Sequence, residues 1–386
     1  MRILIEPNDV WLFRDGRPFS AGDDHHASSL FPPPISTLEG ALRAACIAAA
    51  NVHMDDYVAG QAPAALAQAI GAPDAVAAFG ITAVYVRKGD KRYLPMPTDA
   101  YSVDGAYRPL AIGGPAHVRT NLPTGLQLLY RPTPPVAAGT TTNNTPSDQH
   151  DKHRADWVEV NALHTYLTAP QAADRQIAFA DTVALCDLFE RESRYGIHLD
   201  YGLRRPYEGA LYEAEFLRMQ DDVGIEIDVS DLPGLPESGL LKLGGEGKLA
   251  RYRVLARADT PPILIATPPS NQFRLYCVTP ACFDEGWRPS HWDGLFPAHK
   301  PTLIAAAVPR FEARGGFDMF NLLHTQQYPT EHRPMHRPSR RYVPAGSVFV
   351  FKCDPNKTAD AADERNTQVV VSSVQTNATW QMLMGR

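Results

Sequence analysis

Arginine chemistry is the first thing this sequence offers. In residues 331–342, Arg333, Arg337, Arg340 and Arg341 face one acid, Glu331. Four cations against one acid leave a local excess of three positive charges in a chain whose formal net charge is −6. Guanidinium forks match phosphate oxygens, and interleaved aromatic rings stack on unpaired bases. The segment, preceded by Arg314, Gly315, Gly316 and Phe317 and closed by Tyr342, therefore predicts a surface for single-stranded RNA, with a solvated loop as the alternative.

A second candidate is Gly244-Gly245-Glu246-Gly247-Lys248, whose closely spaced glycines let backbone N–H groups approach a phosphate. It is not a Walker A loop, since Lys242 and Leu249 occupy positions where that motif needs Gly and Ser or Thr. A tight turn after a helix is the alternative. Two clusters invite a metal, Asp23-Asp24-His25-His26 and His150-x-x-His153 with Asp148 and Asp151, but neither has a spacing with a mechanical reason behind it. No metal or cofactor is expected. His25, His26 and His53 are candidates for the acid or base of a metal-free RNA cleavage in which a ribose 2′-OH attacks the adjacent phosphate. The chain lacks G-x-S-x-G, a G-x-G-x-x-G after a strand and a recognisable cysteine-nucleophile motif.

Composition limits what can position these residues. With 386 residues, 44% of them hydrophobic and 21% charged, the chain is large enough for two or three domains with real cores. Both fractions lie near globular averages, which excludes wholesale disorder. The negative net charge excludes histone-like binding by bulk positive charge and leaves a local basic surface. Five cysteines without a C-x-x-C pair argue against a disulfide framework and a zinc ribbon, and fit a reducing, cytoplasmic setting. Glu6 and Pro7 stop the first apolar run before a signal core forms, and no other run approaches the ~18 residues of a membrane span. The protein is expected to be soluble and to have no membrane partner. Its 34 prolines predict many loops and short elements.

Residues 2–6 alternate like a half-buried strand. Ser36 and Glu39 have capping-box spacing before Leu38, Leu42, Ala45, Cys46 and Ala49, which predicts a helix over 37–50. Residues 81–86 and 92–95 form one predicted hairpin around Lys88-Gly89-Asp90, and 211–219 with 223–229 a second around Gln220-Asp221-Asp222. A short helix is expected to end near Leu243, before a strand at 249–255. This order is the split β-α-β of a ferredoxin-like fold with long insertions, one of them a mobile stretch over 131–156. After Pro261-Pro262, strands are expected at 273–279, 302–308 and 347–352. The fold class is thus α+β, with an N-terminal domain over 1–262 and a smaller one over 263–386.

Longer blocks carry a resemblance. Ile3-Leu4-Ile5-Glu6-Pro7, Phe13-Arg14-Asp15-Gly16-Arg17-Pro18-Phe19 and Leu30-Phe31-Pro32-Pro33-Pro34-Ile35-Ser36-Thr37-Leu38-Glu39-Gly40-Ala41-Leu42-Arg43 are followed by Glu192-Ser193-Arg194-Tyr195-Gly196-Ile197 and Gly209-Ala210-Leu211-Tyr212. Gly244-Gly245-Glu246, Thr279-Pro280-Ala281-Cys282-Phe283 and Val343-Pro344-Ala345-Gly346-Ser347-Val348 continue the order. Together they resemble subunit 3 of the type III-B CRISPR Cmr complex, a RAMP superfamily protein, over nearly the whole chain. Phe317 departs from the Trp expected in a Gly-Gly-Trp-Asp segment. The resemblance implies two ferredoxin-like (RRM-like) domains that hold the 5′ handle of the CRISPR RNA (crRNA) and dock the large polymerase-like subunit and the backbone RAMP subunits. It implies no catalysis, the rival readings being a RAMP endoribonuclease and a scaffold that touches only protein. The RNA-binding residues expected are Arg14, Arg17, His25, His26, Arg194, Gly244, Gly245, Glu246, Arg314, Gly315, Gly316, Arg333, Arg337, Arg340 and Arg341. Arg14 and Arg17 would help clamp the handle, unless an arginine there is buried against Asp15 or another acid.

Overall fold

A computed structural model describes residues 1–14, 26–73, 78–113, 122–123, 125–131, 155–169, 174–200, 202, 205–230, 232–256, 272–289, 301–328, 330, 336–352 and 369–371. The fold is mixed α+β and consists mostly of strands. Its larger sheet has eight strands, in the order Thr182–Val183, Trp157–Glu159, Lys91–Pro95, Ile81–Lys88, Val223–Val229, Arg2–Pro7, Leu249–Leu255 and Ser238–Lys242. Neighbours are antiparallel throughout.

The first strand is buried on both faces, not one: Ile3 and Ile5 face the helix core, while Arg2 and Leu4 are also buried. Its alternation marks a face packed on the helix and another covered by charge pairing. Arg2 bonds Asp228 at 2.9 Å, and three arginines converge on the buried Glu226, Arg2 at 3.2 Å, Arg87 at 2.9 Å and Arg92 at 3.6 Å. The helix spans Ile35–Ala49 and buries Leu38, Ala41, Leu42, Cys46 and Ile47, positions recurring near the 3.6-residue period. The expected capping box does not form. Pro34 is the N-cap, its carbonyl accepting from the amides of Thr37 and Leu38, and Glu39 pairs instead with Arg43 one turn later at 3.2 Å.

From the first strand the chain crosses by this helix to Ile81–Lys88, which runs parallel to it with the antiparallel Val223–Val229 between them. Two expectations fail here. The segment before residue 243 is a strand, Ser238–Lys242, which folds back on Leu249–Leu255 as a local hairpin. Residues 205–219 and 223–229 are strands but do not pair. Arg205–Met219 pairs with Phe189–Asp200, whereas Val223–Val229 enters the large sheet, where it is buried on both faces. Alternation reports that a strand exists and is silent about its partner.

The smaller main sheet has the order Thr302–Ala307, Val348–Lys352, Gln272–Cys277 and Val369–Val371. The three strands expected in this half are therefore present. The two sheets share one core, in which Tyr85, Leu94, Val158 and Tyr166 meet Tyr276, Val278 and Val348. Buried polar bonds fasten this seam: Arg274 donates to Asp99 at 2.6 Å, and the Thr98 amide to the Gly346 carbonyl at 2.8 Å. Gly346 has φ +85°, and a Cβ there would lie 2.5 Å from the Met96 carbonyl oxygen. The expected boundary at 262/263 and residues 132–154 of the expected insertion lie outside the described residues. Among the described residues, no helix is long and apolar enough to cross a membrane.

Candidate nucleic-acid interface

The expected RNA-binding residues fall into two groups. The first surrounds the segment after the first strand, which is pinned on both sides by backbone bonds. Trp11 and Leu217 exchange a pair at 2.9 and 2.8 Å, Gly245 donates to the Leu12 carbonyl at 2.7 Å, and Leu30 to that of Phe13 at 2.8 Å. Arg14 sits exposed at its end, bridged to Ser29. The glycine requirement at 244 is explained inside the protein: its φ is +87°, and a Cβ there would lie 2.4 Å from the Leu12 carbonyl oxygen. The Gly245 amide is already engaged by Leu12, while Glu246 is exposed. The close approach these glycines permit is thus to the chain's own backbone.

Arg194 lies on the long ribbon of Phe189–Asp200 and Arg205–Met219. Its Nε donates to Glu192 at 2.7 Å and its Nη2 to Asp9 at 3.4 Å, while Arg218 donates to the same two carboxylates at 2.6 and 3.2 Å. Two arginines and two acids close a neutral ring. Hydrogen bonds from Arg218 and then Arg194 hold the Glu192 carboxyl below the usual glutamate range. The Phe216 ring lies beneath, with the Arg194 guanidinium 4.8 Å and the Lys248 ammonium 5.0 Å from its centroid. His26 pairs with Glu213 at 3.3 Å. The Ser193 hydroxyl leads, and His26 follows, among the groups that lower the Glu213 carboxyl.

The second group forms a two-stranded ribbon of Glu312–Phe317 and His336–Tyr342. From His336 to Tyr342 the basic segment is thus a strand rather than a loop. In register, Arg314 stands opposite Arg340, Ala313 opposite Arg341 and Gly316 opposite Arg337, with an irregularity between Arg314 and Gly316. Pro338, which has no N–H to donate, falls in that irregular stretch. Like charges directly opposite weaken a ribbon. Glu312 relieves one of them by taking the Arg314 Nε at 2.8 Å, and Arg341 stacks on Phe311 at 4.8 Å. Arg340 is exposed, and among the described residues no carboxylate pairs with it or with Arg341.

Arg314, Gly315 and Tyr342 also line a cavity of about 70 Å³ with Pro32, Pro33, Pro34, Ser36 and Trp157. The loop leaving Ser29 thereby connects the two groups. Arg17, His25 and Arg333 lie outside the described residues, as do both histidines of the 150–153 cluster. Among the described residues, no three His, Cys, Asp or Glu are grouped to hold a metal ion. Sequence reasoning missed Asp9 and Arg218 because they lie 209 residues apart.

A family model of CRISPR-associated proteins matches residues 3–375, nearly the whole chain. The chain is therefore a CRISPR-associated protein. Within that class it belongs to the Cas_Cmr3 family, the family of Cmr subunit 3 that its motifs resemble. Similar solved structures include chains in cryo-EM structures of the Type III-B Cmr-beta bound to cognate target RNA, one of them also with AMPPnP. Each is 15% identical, with a TM-score of 0.47, and the match covers 91% of this chain and 86% of the other. No curated protein matches the chain.

Proposed function

We propose that this chain is the non-catalytic, RNA-binding subunit of a cytoplasmic type III-B Cmr effector complex, holding the crRNA 5′ handle and docking the large polymerase-like subunit and the backbone subunits. Family membership supports the assembly, and the strand order of the large sheet supports a ferredoxin-like N-terminal domain, with a second such domain in the smaller half. One observation carries the RNA reading. The ribbon sets Arg314 opposite Arg340 and leaves Arg340 and Arg341 without an acid among the described residues, beside a small cavity that Arg314 lines. Such an arrangement costs stability unless an anion joins it.

The test uses the assembled complex. Each phosphate contact on a single strand contributes about −0.7 to the slope of log affinity against log salt, so Arg337→Ala with Arg340→Ala should flatten that slope by roughly 1.4. The loss should be alike for handles of different sequence, because phosphate contacts position without reading bases. An unchanged slope with wild-type affinity would move the RNA off this ribbon. The same RNA, incubated with and without divalent metal, should stay intact; cleavage that disappears in His26→Ala would make the chain an endoribonuclease.

A further inference from the structure

The open edge of the large sheet is a separate surface. Ser238–Lys242 bonds Leu249–Leu255 on one side, and among the described residues no strand lies on the other. Its inward face is firmly set. Leu241, Ala250 and Tyr252 are buried in the helix core, and the Tyr252 ring lies over Gly239, where a Cβ would approach it to 2.9 Å. The edge is therefore held in register by its inward face.

Its outward face mixes exposed leucines with cations. Cross-strand register sets Ser238 beside Arg253, Leu240 beside Arg251 and Lys242 beside Leu249. Leu240 is 57% and Leu249 38% exposed. Lys242, Arg251 and Arg253 are exposed too, and among the described residues none of them pairs with a carboxylate, although Glu6 is in register with Arg251. Proteins protect free edges with short strands, edge lysines, proline, bulges or inward charges; this five-residue edge ends in Lys242, while its run Gly239-Leu240-Leu241 carries no charge, proline or bulge.

We propose that this edge takes an extended segment of a partner subunit, added as a further strand, whose outward residues alternate acidic and apolar. The backbone groups of the edge would supply the main-chain bonds, the two leucines the apolar contacts, and the three cations the selection for acid. RNA phosphates would answer the three cations as well, but the face offers nothing on which a base could stack. Its one aromatic, Tyr252, is 4% exposed and turned to the core, so no ring is offered to a base. The proposal rests on the functional reading only in taking the chain to be one subunit of a complex, and it is independent of where the handle binds.

The test is amide hydrogen exchange on the full-length chain, alone, with handle RNA, and in the assembled complex. The outward-facing amides of Leu240 and Lys242 should slow at least tenfold in the complex and stay unchanged with RNA alone. Arg251→Glu with Arg253→Glu should lower the yield of co-purified partner subunits by at least about tenfold, while its thermal melt stays that of the wild type, since both side chains are exposed. Offered to the isolated chain, a peptide alternating Leu and Glu should protect the edge and one alternating Leu and Lys should not. Unchanged exchange in the complex, protection by RNA alone, or equal response to both peptides would each overturn the proposal. Arg337→Ala with Arg340→Ala should leave the edge protection intact, so failure of the handle assignment is read separately.

Discussion

Two arginine-bearing ribbons stand outside the main sheets, and they treat their charges in opposite ways. On the long ribbon, Arg194 and Arg218 are bound into a ring with Glu192 and Asp9, and Arg194 lies over the Phe216 ring. On the short one, Arg314 and Arg340 face each other, and one acid, Glu312, serves one of them. The first ribbon uses arginine as a fastening between the N-terminal segment and the hairpin. The second holds cationic charge that its own surroundings do not neutralise. Counting arginines would rank the two alike, whereas the positions of carboxylates separate them.

The largest effect should come from breaking the anchor of the long ribbon. Gly244→Val places a β-branched side chain at φ +87° and against the Leu12 carbonyl, which should cost about 3 kcal/mol or more. Thermal melting should fall by several degrees, with RNA affinity of the folded fraction preserved. A melt within one degree of the wild type would show that the segment after the first strand is not fastened there.

Asp9→Asn with Glu192→Gln sharpens the contrast by giving the long ribbon the charge state of the short one. Two released guanidinium groups should add a salt-dependent, sequence-independent component to RNA binding, steepening the slope by up to about 1.4. No change in slope would mean that position, and not the missing acids, distinguishes the two ribbons.

Acid should loosen the long ribbon in the smallest of these effects. Hydrogen bonds from Arg218 and Arg194 depress the folded-state pKa of Glu192 from its ordinary 4.5. A carboxylate depressed on folding stabilises the fold above its unfolded pKa, and that contribution is lost as pH falls through the lower folded value. Exchange of the amides in 189–194 should therefore rise below about pH 4.5, and Glu192→Gln should reduce that dependence, leaving the part that Glu213 contributes through Ser193.

The first helix was legible because its evidence is local: apolar residues recur within four positions of one another. The strands of the C-terminal half were legible for the same reason. The hairpin expected over 211–229 was misread, since alternation fits either neighbour and the choice was made by Phe189–Asp200. Gly244 could be read as a position that excludes a side chain, while what excludes it, Leu12, is distant in the chain. The basic segment was visible as a reversal of charge sign, but not as a strand, because Pro338 interrupts its pattern.

By itself the sequence determined the α+β character, the positions of most strands, the family and the places where charge or glycine is concentrated, for each of these depends on residues near one another in the chain. Tertiary structure decided which arginines remain available. Arg194 meets Asp9 across 185 residues, and Arg2, Arg87 and Arg92 meet on Glu226 from three strands. Ion pairing acts over a few ångströms of space and carries no mark in sequence spacing, so a phosphate-ready guanidinium and a structural one become distinguishable only once the strands lie side by side.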